Sequence, residues 1–422
     1  SLASSKSPSL AHCTFRITPC AAVSASALAI SCHIHATMNK AASYVGKFHL
    51  MDQYKTFTHG GNYWRDNYRL NYWEDCMQPV VYRNNIYCGY RLLRRLGDWC
   101  WLTQDPKTLD YLTVKFLSRG RDNDLKMSFF LRQYCSSPLV STIKDYFTIP
   151  HHLARTASKY RNISFNAIVY ETTGTDLRRE SSTGEPSSDI PLSMERRERC
   201  IQQVVQAVAE LHRIGVVHGD LHPGNVALPP PTREHIQQFL AKPPLEHEVI
   251  RKDGEPTPAH LPQRVTEPEN IGYGDGDIKL LDFGYAFRPV HGVGYTRDAF
   301  APGTPPAPEY IGTDKKMSQP FKAESWYLGQ LIYFILVDGW PIFSRHLGYN
   351  DEDLREEYDY CLANLESGQD ESMNELPEEL KLHFTPYILA LLDRDPDRRL
   401  SIEDLSKDER FMRKRPKINR TS

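Results

Sequence analysis

The sequence contains no Cys-x-x-Cys pair, although nine cysteines are scattered over its 422 residues. An odd number of scattered cysteines indicates neither a disulfide framework nor a zinc site, and it favours a reducing, intracellular compartment. The sequence also lacks a long apolar run, because the longest one in the part expected to fold, from Tyr327 to Val337, is interrupted by Gln330. A run of this length is too short to cross a bilayer and predicts a buried helix. We therefore expect no transmembrane anchor.

A strong charge of either sign is missing as well. Lys and Arg number 51 against 53 Asp and Glu, which gives a formal net charge of -2. This balance excludes a global field that would gather nucleic acid or an anionic membrane. The composition, with 40% hydrophobic and 25% charged residues, is that of an ordinary globular protein. We expect a monomer with no direct nucleic-acid partner and no membrane partner.

The first 72 residues lack a sustained helical or strand period, and no acidic residue precedes Asp52. Such a pattern predicts a poorly ordered N-terminal tail over residues 1–72. The small and apolar residues from Cys20 to Cys32 leave a signal or transit segment open as the alternative.

Residues 73–171 contain short β-prone runs separated by turn residues. The expected strands are Tyr90 to Leu96, Cys100 to Thr103, Tyr111 to Leu117, Val140 to Ile149 and Phe165 to Glu171, and the expected helix runs from Asn123 to Tyr134. The pattern predicts a small antiparallel β-sheet lobe with one helix.

Residues 172–413 change to a helical period. Met194 to Ile214 carries apolar residues at helical spacing and ends before Gly215, which predicts a helix in a larger, mainly α-helical lobe. The Pro-rich, charged stretch 229–276 predicts an insert, because loops of that length are usually functional or disordered rather than packed. Residues 414–422 are a basic C-terminal tail. The predicted fold class is therefore α+β with two lobes.

The segment from His218 to Asn225 reads His-Gly-Asp-Leu-His-Pro-Gly-Asn and follows the apolar pair Val216-Val217. Phosphoryl transfer needs a carboxylate that takes the proton of the attacking hydroxyl and an amide oxygen that holds a metal. Asp220 and Asn225 have the residue types for those two roles. A polar turn is the competing interpretation, because Asp, Gly, Pro and Asn are all common turn residues.

A second motif, Ile-Lys-Leu-Leu-Asp-Phe-Gly, runs from Ile278 to Gly284. It predicts a hydrophobic strand that presents Asp282 to the magnesium bridging the ATP phosphates, although a strand ending in a plain turn would look similar. Upstream, Leu-Thr-Val-Lys resembles a strand that directs a lysine, here Lys115, at the α- and β-phosphates, the alternative being a solvent-facing lysine. The two metal-directed loops in this order, separated by a strand, favour the functional interpretation.

Together these motifs resemble the eukaryotic protein kinase superfamily, over about Trp73 to Phe411. More narrowly, the His-Gly-Asp segment, the stretch Val249 to Gly254 and the stretch Asp282 to Phe287 resemble a divergent branch of the SR-protein kinases. The resemblance implies a bilobal protein kinase fold and a serine/threonine kinase that uses ATP and Mg²⁺. It also implies protein substrates rich in Arg and Ser, and a location in the cytoplasm and/or nucleus.

The resemblance also assigns roles to single residues. It places Asp220, Lys115 and Asn225 in catalysis, and it places Asn225 and Asp282 on the metal. The residues it implies for ATP binding are Leu96, Gly97, Lys115, Glu171, Thr173 and Asp282.

Three further positions resemble structural elements of the same superfamily. Glu309, after Gly303-Thr304-Pro305, is expected to be buried against Arg399, and a pair of this kind is chiefly structural. Glu324 begins the expected central helix, where the superfamily usually has Asp.

The sequence departs from the superfamily in ways that bear on activity. The glycine-rich loop is about four residues short and carries Asp98 and Trp99, so it offers phosphates fewer backbone donors. Met127 stands where a helix glutamate should pair with Lys115, and Asp124, one turn earlier, is the nearest acid. Gly219 replaces an arginine that usually binds a phosphorylated activation loop, so switching by such a phosphate is not expected.

Two other functions stay open on the sequence. One is a pseudokinase that acts as a nucleotide-binding or scaffolding module, because of the short loop and the missing helix glutamate. The other is a small-molecule phosphotransferase of the aminoglycoside type, which shares the His-Gly-Asp motif, although Glu309 and Arg399 count against it.

The segment from Asp351 to Glu379 is crowded with acidic residues. It could attract an arginine-rich peptide by electrostatic steering, or it could simply be a solvated acidic face.

Overall fold

The computed structural model describes residues 54–56, 79, 81–97, 99–151, 154–155, 161–178, 192–251, 264–312, 316–343 and 350–413. All of them lie in one compact unit, Tyr54–Ser422. Three residues of the expected N-terminal tail form a strand, β1 (Tyr54–Thr56). The rest of residues 1–72 and the basic tail 414–422 fall outside the described residues, so the expectations for them stay predictions.

The N-terminal lobe is built on a six-stranded sheet in the order β2-β3-β4-β5-β7-β6, in which every neighbouring pair is antiparallel. Its elements are β2 (Ile86–Tyr87), β3 (Tyr90–Arg95), β4 (Cys100–Gln104), β5 (Tyr111–Phe116), the helix α1 (Asp122–Tyr134), β6 (Asp145–Pro150) and β7 (Ser164–Glu171). Alternate residues of the strands share a face. Leu92, Trp101, Val114 and Phe147 therefore form one buried cluster. The predicted small antiparallel lobe with one helix is confirmed.

One predicted strand is wrong in its first half. The expected strand from Val140 to Ile149 begins only at Asp145. The preceding residues pair with the other lobe instead, since Ser141 N–H donates to Leu280 O at 3.0 Å and Leu280 N–H donates to Leu139 O at 2.8 Å. A buried segment that finds backbone partners elsewhere has no need to continue the sheet.

The C-terminal lobe is mainly helical. Its elements are α2 (Met194–Arg213), β8 (Val226–Ala227), α3 (Arg233–Ala241), β9 (Glu246–Arg251), β10 (Arg264–Thr266), β11 (Lys279–Leu280), α4 (Pro320–Leu336), α5 (Asp351–Ser367), α6 (Glu378–Leu391), α7 (Ile402–Lys407) and α8 (Glu409–Met412). The described helices include none long and apolar enough to cross a membrane.

Helix α2 forms where the sequence predicts it. Ser193 caps it by accepting the N–H of Arg196, which satisfies one of the donors that a helix start leaves free. Val204, Val208 and Leu211 are fully buried in the main core, which α4 and α6 share. The helical period of apolar residues therefore positions α2 under the loop that follows it.

The insert 229–276 is packed in part, which its composition did not suggest. Ile236 of α3 and Ile271 are buried against Leu102 of β4, so the insert contacts the sheet of the other lobe. Arg94 of β3, only 1% exposed, donates to the carbonyl oxygens of Phe239, Leu240 and Lys242 at the end of α3. Carbonyls at a helix end lack partners within the helix, and an arginine supplies them.

The insert also contributes to a second sheet. Strand β9 lies between β1 and β10 and is antiparallel to both. The described part of the insert thus has a helix and two strands, while residues 252–263 lie outside the described residues.

The expected pair between Glu309 and Arg399 is confirmed. Both nitrogens of the Arg399 fork donate to the carboxylate of Glu309 at 2.8 Å, and both residues are buried. Arg399 also donates to Asp393 O and Lys322 O. The pair therefore ties the segment before α4 to the segment before α7.

Replacing Arg399 with methionine should lower the free energy of unfolding by about 3–5 kcal/mol, because it leaves the Glu309 carboxylate buried without a counter-charge. Chemical denaturation measures the change. The matched control is Arg398→Met, whose side chain is 72% exposed and should change stability by less than about 1 kcal/mol. Equal effects of the two substitutions would contradict a structural role for the pair.

Candidate active site

The loop from His218 to Asn225 begins where a buried strand-like segment ends. Val217 pairs with Phe287 through two backbone hydrogen bonds, of 2.9 and 3.0 Å. His218 then turns inward, with its Nε2 2.9 Å from Leu281 O and its ring 5.2 Å from that of Phe283. These contacts hold the loop against the segment that carries Asp282.

A buried glutamate of α4 fixes the start of this loop. Glu324 is fully buried and accepts the backbone N–H groups of His218 at 3.0 Å and Gly219 at 2.9 Å. His212 Nε2 lies 2.8 Å from the same carboxylate. Burial alone would raise the pKa of Glu324, but the His212 hydrogen bond, nearby charge and the loop N–H groups outweigh it and lower the pKa. The ionised carboxylate therefore serves as an anchor for the loop backbone.

Gly219 is required by the local backbone. Its φ is +76°, and a Cβ placed there would lie 2.5 Å from the carbonyl oxygen of Tyr285. Both conditions disfavour any side chain at this position. The arginine that the superfamily usually has here would therefore not fit this loop.

Asp220 and Asn225 lie close to each other within the loop. The Asn225 carboxamide nitrogen donates to Asp220 O at 2.8 Å, so Oδ1 is the carboxamide atom left to face a metal. His222 Nε2 is 3.5 Å from Asp220 Oδ1, and His222 Nδ1 accepts the N–H of Gly224. The Asp220 carboxylate is thus oriented next to an imidazole.

Asp282 is brought beside Asn225 by strand pairing. Strand β11 pairs with β8, and Leu281 N–H donates to Asn225 O at 2.8 Å. Asp282 has a left-handed φ of +58°, which is uncommon outside glycine. Its carboxylate accepts the N–H of Gly284 at 3.2 Å.

Lys115 of β5 joins the two lobes. Its Nζ is 2.7 Å from Asp124 Oδ2 on α1 and 2.8 Å from Asp282 Oδ1. The helix glutamate is missing, as expected, but Asp124, the nearest acid on the sequence, takes its place as the helix partner of Lys115. Met127 is buried in the core, and the shorter carboxylate one turn earlier reaches the lysine.

The pKa values follow from this triad. Burial alone would raise the pKa of Asp282, but the Lys115 charge outweighs it and lowers the pKa to about 2. For Asp124 burial prevails and its pKa is raised. Burial alone would lower the pKa of Lys115, but the two carboxylates hold it well above its usual range. The lysine is therefore permanently charged.

Two residues behind the triad make a contact that the sequence did not predict. Tyr170, at the end of β7, has its hydroxyl 2.8 Å from Ser128 Oγ of α1. The contact closes the site on the side of α1. Nothing in the spacing of Ser128 and Tyr170, which are 42 residues apart, would have linked them.

At the end of β7, the Glu171 carboxylate is occupied by ion pairs, whereas the backbone of Thr173 is free to bind a ligand. The Glu171 carboxylate binds Lys144 at 2.5 Å and Lys279 at 3.3 Å. Thr173 follows, and its backbone has no hydrogen bond to another described residue. Its N–H and C=O are thus available to the edge of a base.

In the short loop after β3, backbone N–H groups are hydrogen-bonded within the loop itself. Leu96 and Gly97 donate their N–H groups to Cys100 O at 2.8 and 3.3 Å, which makes a tight hairpin. Donors engaged in this way are not free for a phosphate. Asp98 lies outside the described residues.

The donor set fits a magnesium ion. The described residues contain no cluster of three His, Cys, Asp or Glu side chains that could hold a metal alone. Mg²⁺ is usually bound by one or two carboxylates together with substrate phosphates, so an all-protein cluster is not needed. Asp282 and Asn225 would supply hard oxygen ligands from adjacent backbone positions.

Comparison with known proteins agrees with this architecture. Among curated proteins the chain is similar to Serine/threonine-protein kinase RCK2 of Saccharomyces cerevisiae, with 27% identity over 216 residues that cover 49% of this chain and 30% of that protein. The match therefore spans less than a third of the relative's length. No protein-family model matches.

Among solved structures, the chain is similar to the yeast RNA Pol II CTD kinase CTDK-1 complex. The TM-score is 0.50 at 15% identity, over 80% of this chain and 97% of that chain. The chain has the bilobal protein kinase fold. The structural match shows the fold alone, and the sequence match supports the protein kinase superfamily without favouring the SR-protein-kinase branch.

Gly219→Ala should destabilise the protein more than Gly215→Ala, although both glycines have nearly the same φ. Gly215 has a φ of +75° and open space around its Cβ position, so its substitution should cost only the left-handed strain of about 1–2 kcal/mol. Gly219→Ala adds the contact with Tyr285 O, which should cost about 1–3 kcal/mol more. Equal midpoints in urea unfolding would contradict this account of the loop.

Lys115→Met should destabilise the protein most near neutral pH. Ionised Asp282 stabilises the wild type above its unfolded pKa, and this contribution is lost as the pH falls through about 2. Without Lys115, burial raises the pKa of both Asp124 and Asp282. Protonation of the two carboxylates at lower pH then removes the free-energy cost of burying their charges, so the variant loses less stability. The difference in unfolding free energy should be about 3 kcal/mol at pH 7 and shrink towards pH 4.

Denaturation of both proteins across this pH range measures the effect. Lys144→Met is the control, because Lys144 is 48% exposed where it binds Glu171 and should contribute less than about 1 kcal/mol. A difference that grows as the pH falls would overturn the assignment of charges.

Proposed function

We propose that this chain is a serine/threonine protein kinase that transfers the γ-phosphoryl group of ATP to hydroxyls of protein substrates. The observation that carries the proposal is the position of Lys115, which contacts carboxylates from both lobes at 2.7 and 2.8 Å. A charged lysine beside the Asp282 carboxylate, with Asn225 hydrogen-bonded to the neighbouring Leu281, is the arrangement that phosphoryl transfer requires.

Each residue then has a distinct task. Lys115, held by Asp124, binds the α- and β-phosphates, while the backbone of Thr173 binds the adenine edge. Asp282 and Asn225 would hold a magnesium ion, which would supply positive charge for the phosphates. Asp220 accepts a hydrogen bond from the substrate hydroxyl and takes its proton as the oxygen attacks. His222, 3.5 Å away, helps to keep the Asp220 carboxylate oriented.

We further propose that the kinase is active without phosphorylation of its activation loop. Glu324 and Gly219 order the loop through buried contacts that need no phosphate. Because Gly219 leaves no room for an arginine, an activation-loop phosphate would find no partner at that position.

A pseudokinase is the second candidate, and one observation favours it. The N–H groups of Leu96 and Gly97 are bonded to Cys100 O, so the loop above the phosphates is poor in donors. We expect weak ATP affinity on this ground, rather than loss of transfer, because Lys115, Asp282 and Asn225 remain together.

Substrates rich in Arg and Ser are a finer proposal, drawn from the resemblance to SR-protein kinases. Helix α5, which begins with three acidic residues, packs beside the segment that ends in Gly312. Tyr358 donates to Pro306 O and Arg355 to Ile311 O, both at 2.8 Å. Its acidic surface would attract a basic stretch of a substrate. Such substrates would be consistent with a location in the cytoplasm and/or nucleus.

Two measurements separate the candidates. ATP with magnesium should raise the melting temperature of the wild type, since ligand at 100 times its Kd adds about 2.7 kcal/mol of stability. The shift should be lost with a chelator and in Asp282→Asn. Asp277→Asn is the matched control, because Asp277 is exposed and lies outside the triad.

Phosphate transfer to a serine peptide is the second measurement. Asp220→Asn should lower the rate by about 10²–10⁴-fold, the usual contribution of a general base. Nucleotide binding without transfer in the wild type would favour the pseudokinase. Transfer that is unchanged in Asp220→Asn would refute the proposed base.

A further inference from the structure

Arg178 lies directly on the loop that carries Asp220. Its segment follows β7 and is held to the loop by backbone hydrogen bonds, in which Leu177 N–H donates to Pro223 O at 3.2 Å and to Val226 O at 2.9 Å. Asp176 forms a bridge with Ala227. The position of Arg178 is therefore fixed relative to Asp220 and Asn225.

The guanidinium of Arg178 occupies the space that a side chain at position 224 would need. A Cβ added to Gly224 would lie 2.3 Å from Arg178 Nε and 2.5 Å from its Cζ. Glycine thus allows the arginine to pack onto the loop. A larger residue at 224 would displace it.

A short chain of contacts connects this guanidinium with the proposed base. Gly224 donates its N–H to His222 Nδ1 at 3.0 Å, and His222 Nε2 is 3.5 Å from Asp220 Oδ1. Gly224, on which the guanidinium packs, is therefore joined to Asp220 through one imidazole. A peptide whose hydroxyl reaches Asp220 therefore brings its neighbouring residues near the loop on which Arg178 packs.

Among the described residues, Arg178 uses only part of its hydrogen-bonding capacity. Its Nε is buried without a hydrogen-bond partner among the described residues. The ion pair with Asp176 is long, at 3.4 Å, and the other oxygen of that carboxylate accepts the backbone N–H of Arg178. About a third of the side chain, 35%, is exposed. The N–H groups of the two terminal nitrogens, rather than the buried Nε, thus remain as donors for a ligand.

We propose that Arg178 binds an anionic side chain of the protein substrate, a carboxylate or a phosphate, next to the serine or threonine that is phosphorylated. This inference rests on the proposed kinase function. Arginine presents a planar fork that matches either anion, and such charge-assisted bonds are the stronger ones. The same charge disfavours an arginine next to the acceptor, so any basic stretch that α5 attracts lies further along the substrate.

The nucleotide is the other possible source of the anion. No hydrogen bond or ion pair between described residues joins Arg178 to Lys115, Asp282 or Asn225, the cluster proposed to hold the triphosphate and its metal. The proposal therefore predicts that Arg178 affects the KM for peptide and leaves the KM for ATP unchanged.

The test is a series of serine peptides in an alanine background, with Asp, phosphoserine or Arg within about three residues of the acceptor, since an extended chain advances about 3.3 Å per residue. In the wild type, at least one position should favour Asp or phosphoserine over Ala by about tenfold in kcat/KM, the effect of one charge-assisted hydrogen bond. Arg178→Gln should remove this preference. Arg178→Glu should reverse it towards Arg.

The chain offers a closely matched control. Arg410 pairs with Asp408 at 3.5 Å and donates its backbone N–H to that carboxylate, which repeats the geometry of Arg178 and Asp176. It lies on α8 in the C-terminal part of the fold. Arg410→Gln should leave the peptide preference unchanged.

A binding measurement keeps the test independent of turnover. Fluorescence anisotropy of the labelled Asp and Ala peptides should show tighter binding of the Asp peptide to the wild type and equal binding to Arg178→Gln. If no peptide is phosphorylated but this difference in binding persists, the kinase proposal is refuted and the role of Arg178 is not. Equal binding and equal kcat/KM of all peptides in the wild type, or a change confined to the KM for ATP, would overturn the role of Arg178.

Discussion

The ion-pair triad of Lys115, Asp124 and Asp282 is the interaction on which the rest of the site depends. It joins β5, α1 and the segment after β11, so it fixes the small lobe against the large one. Two carboxylates near each other in a partly buried site would normally raise each other's pKa, and the lysine offsets that repulsion. The carboxylate of Asp282 stays ionised and faces the cleft, where 41% of its side chain is exposed. A ligand that brings positive charge would therefore find an anion already in place.

The loop that carries Asp220 is ordered by a different means. Glu324 holds its backbone from below, His218 ties it to Leu281 and Phe283, and a strand pair aligns Asn225 with Asp282. All of the hydrogen bonds among these contacts involve backbone groups. The loop can therefore keep its shape while the side chains above it, His222 and Arg178, determine which substrates approach.

Much of the fold and part of the site could be predicted from the sequence. Lys115, Asp220, Asn225 and Asp282 belong to local motifs, where residue type and spacing follow from the chemistry. The sequence identified Asp124 only as the nearest acid to the place of the missing glutamate, because whether that acid reaches Lys115 depends on the position of α1 in space. Asp124, rather than a residue at the place of Met127, makes the contact.

The same reason explains the insert and the short loop. Ile236 and Ile271 look like isolated apolar residues in a polar stretch, and only the folded chain brings them onto Leu102. The hydrogen bonds of Leu96 and Gly97 to Cys100 depend on the length of the loop. The glycine-rich motif describes only which residue types the loop contains, so it does not predict these bonds. Nothing in the sequence pointed to Arg178, because its proposed role depends on packing against Gly224, which is 46 positions away.

A crystal structure of the protein with Mg²⁺ and a non-hydrolysable ATP analogue tests the central claim most directly. We expect a metal bound by Asp282 and by Asn225 Oδ1 at about 2.0–2.1 Å, with the Lys115 ammonium on the α- and β-phosphates. A nucleotide bound elsewhere, or one whose metal is held without Asp282 and Asn225, would contradict the account.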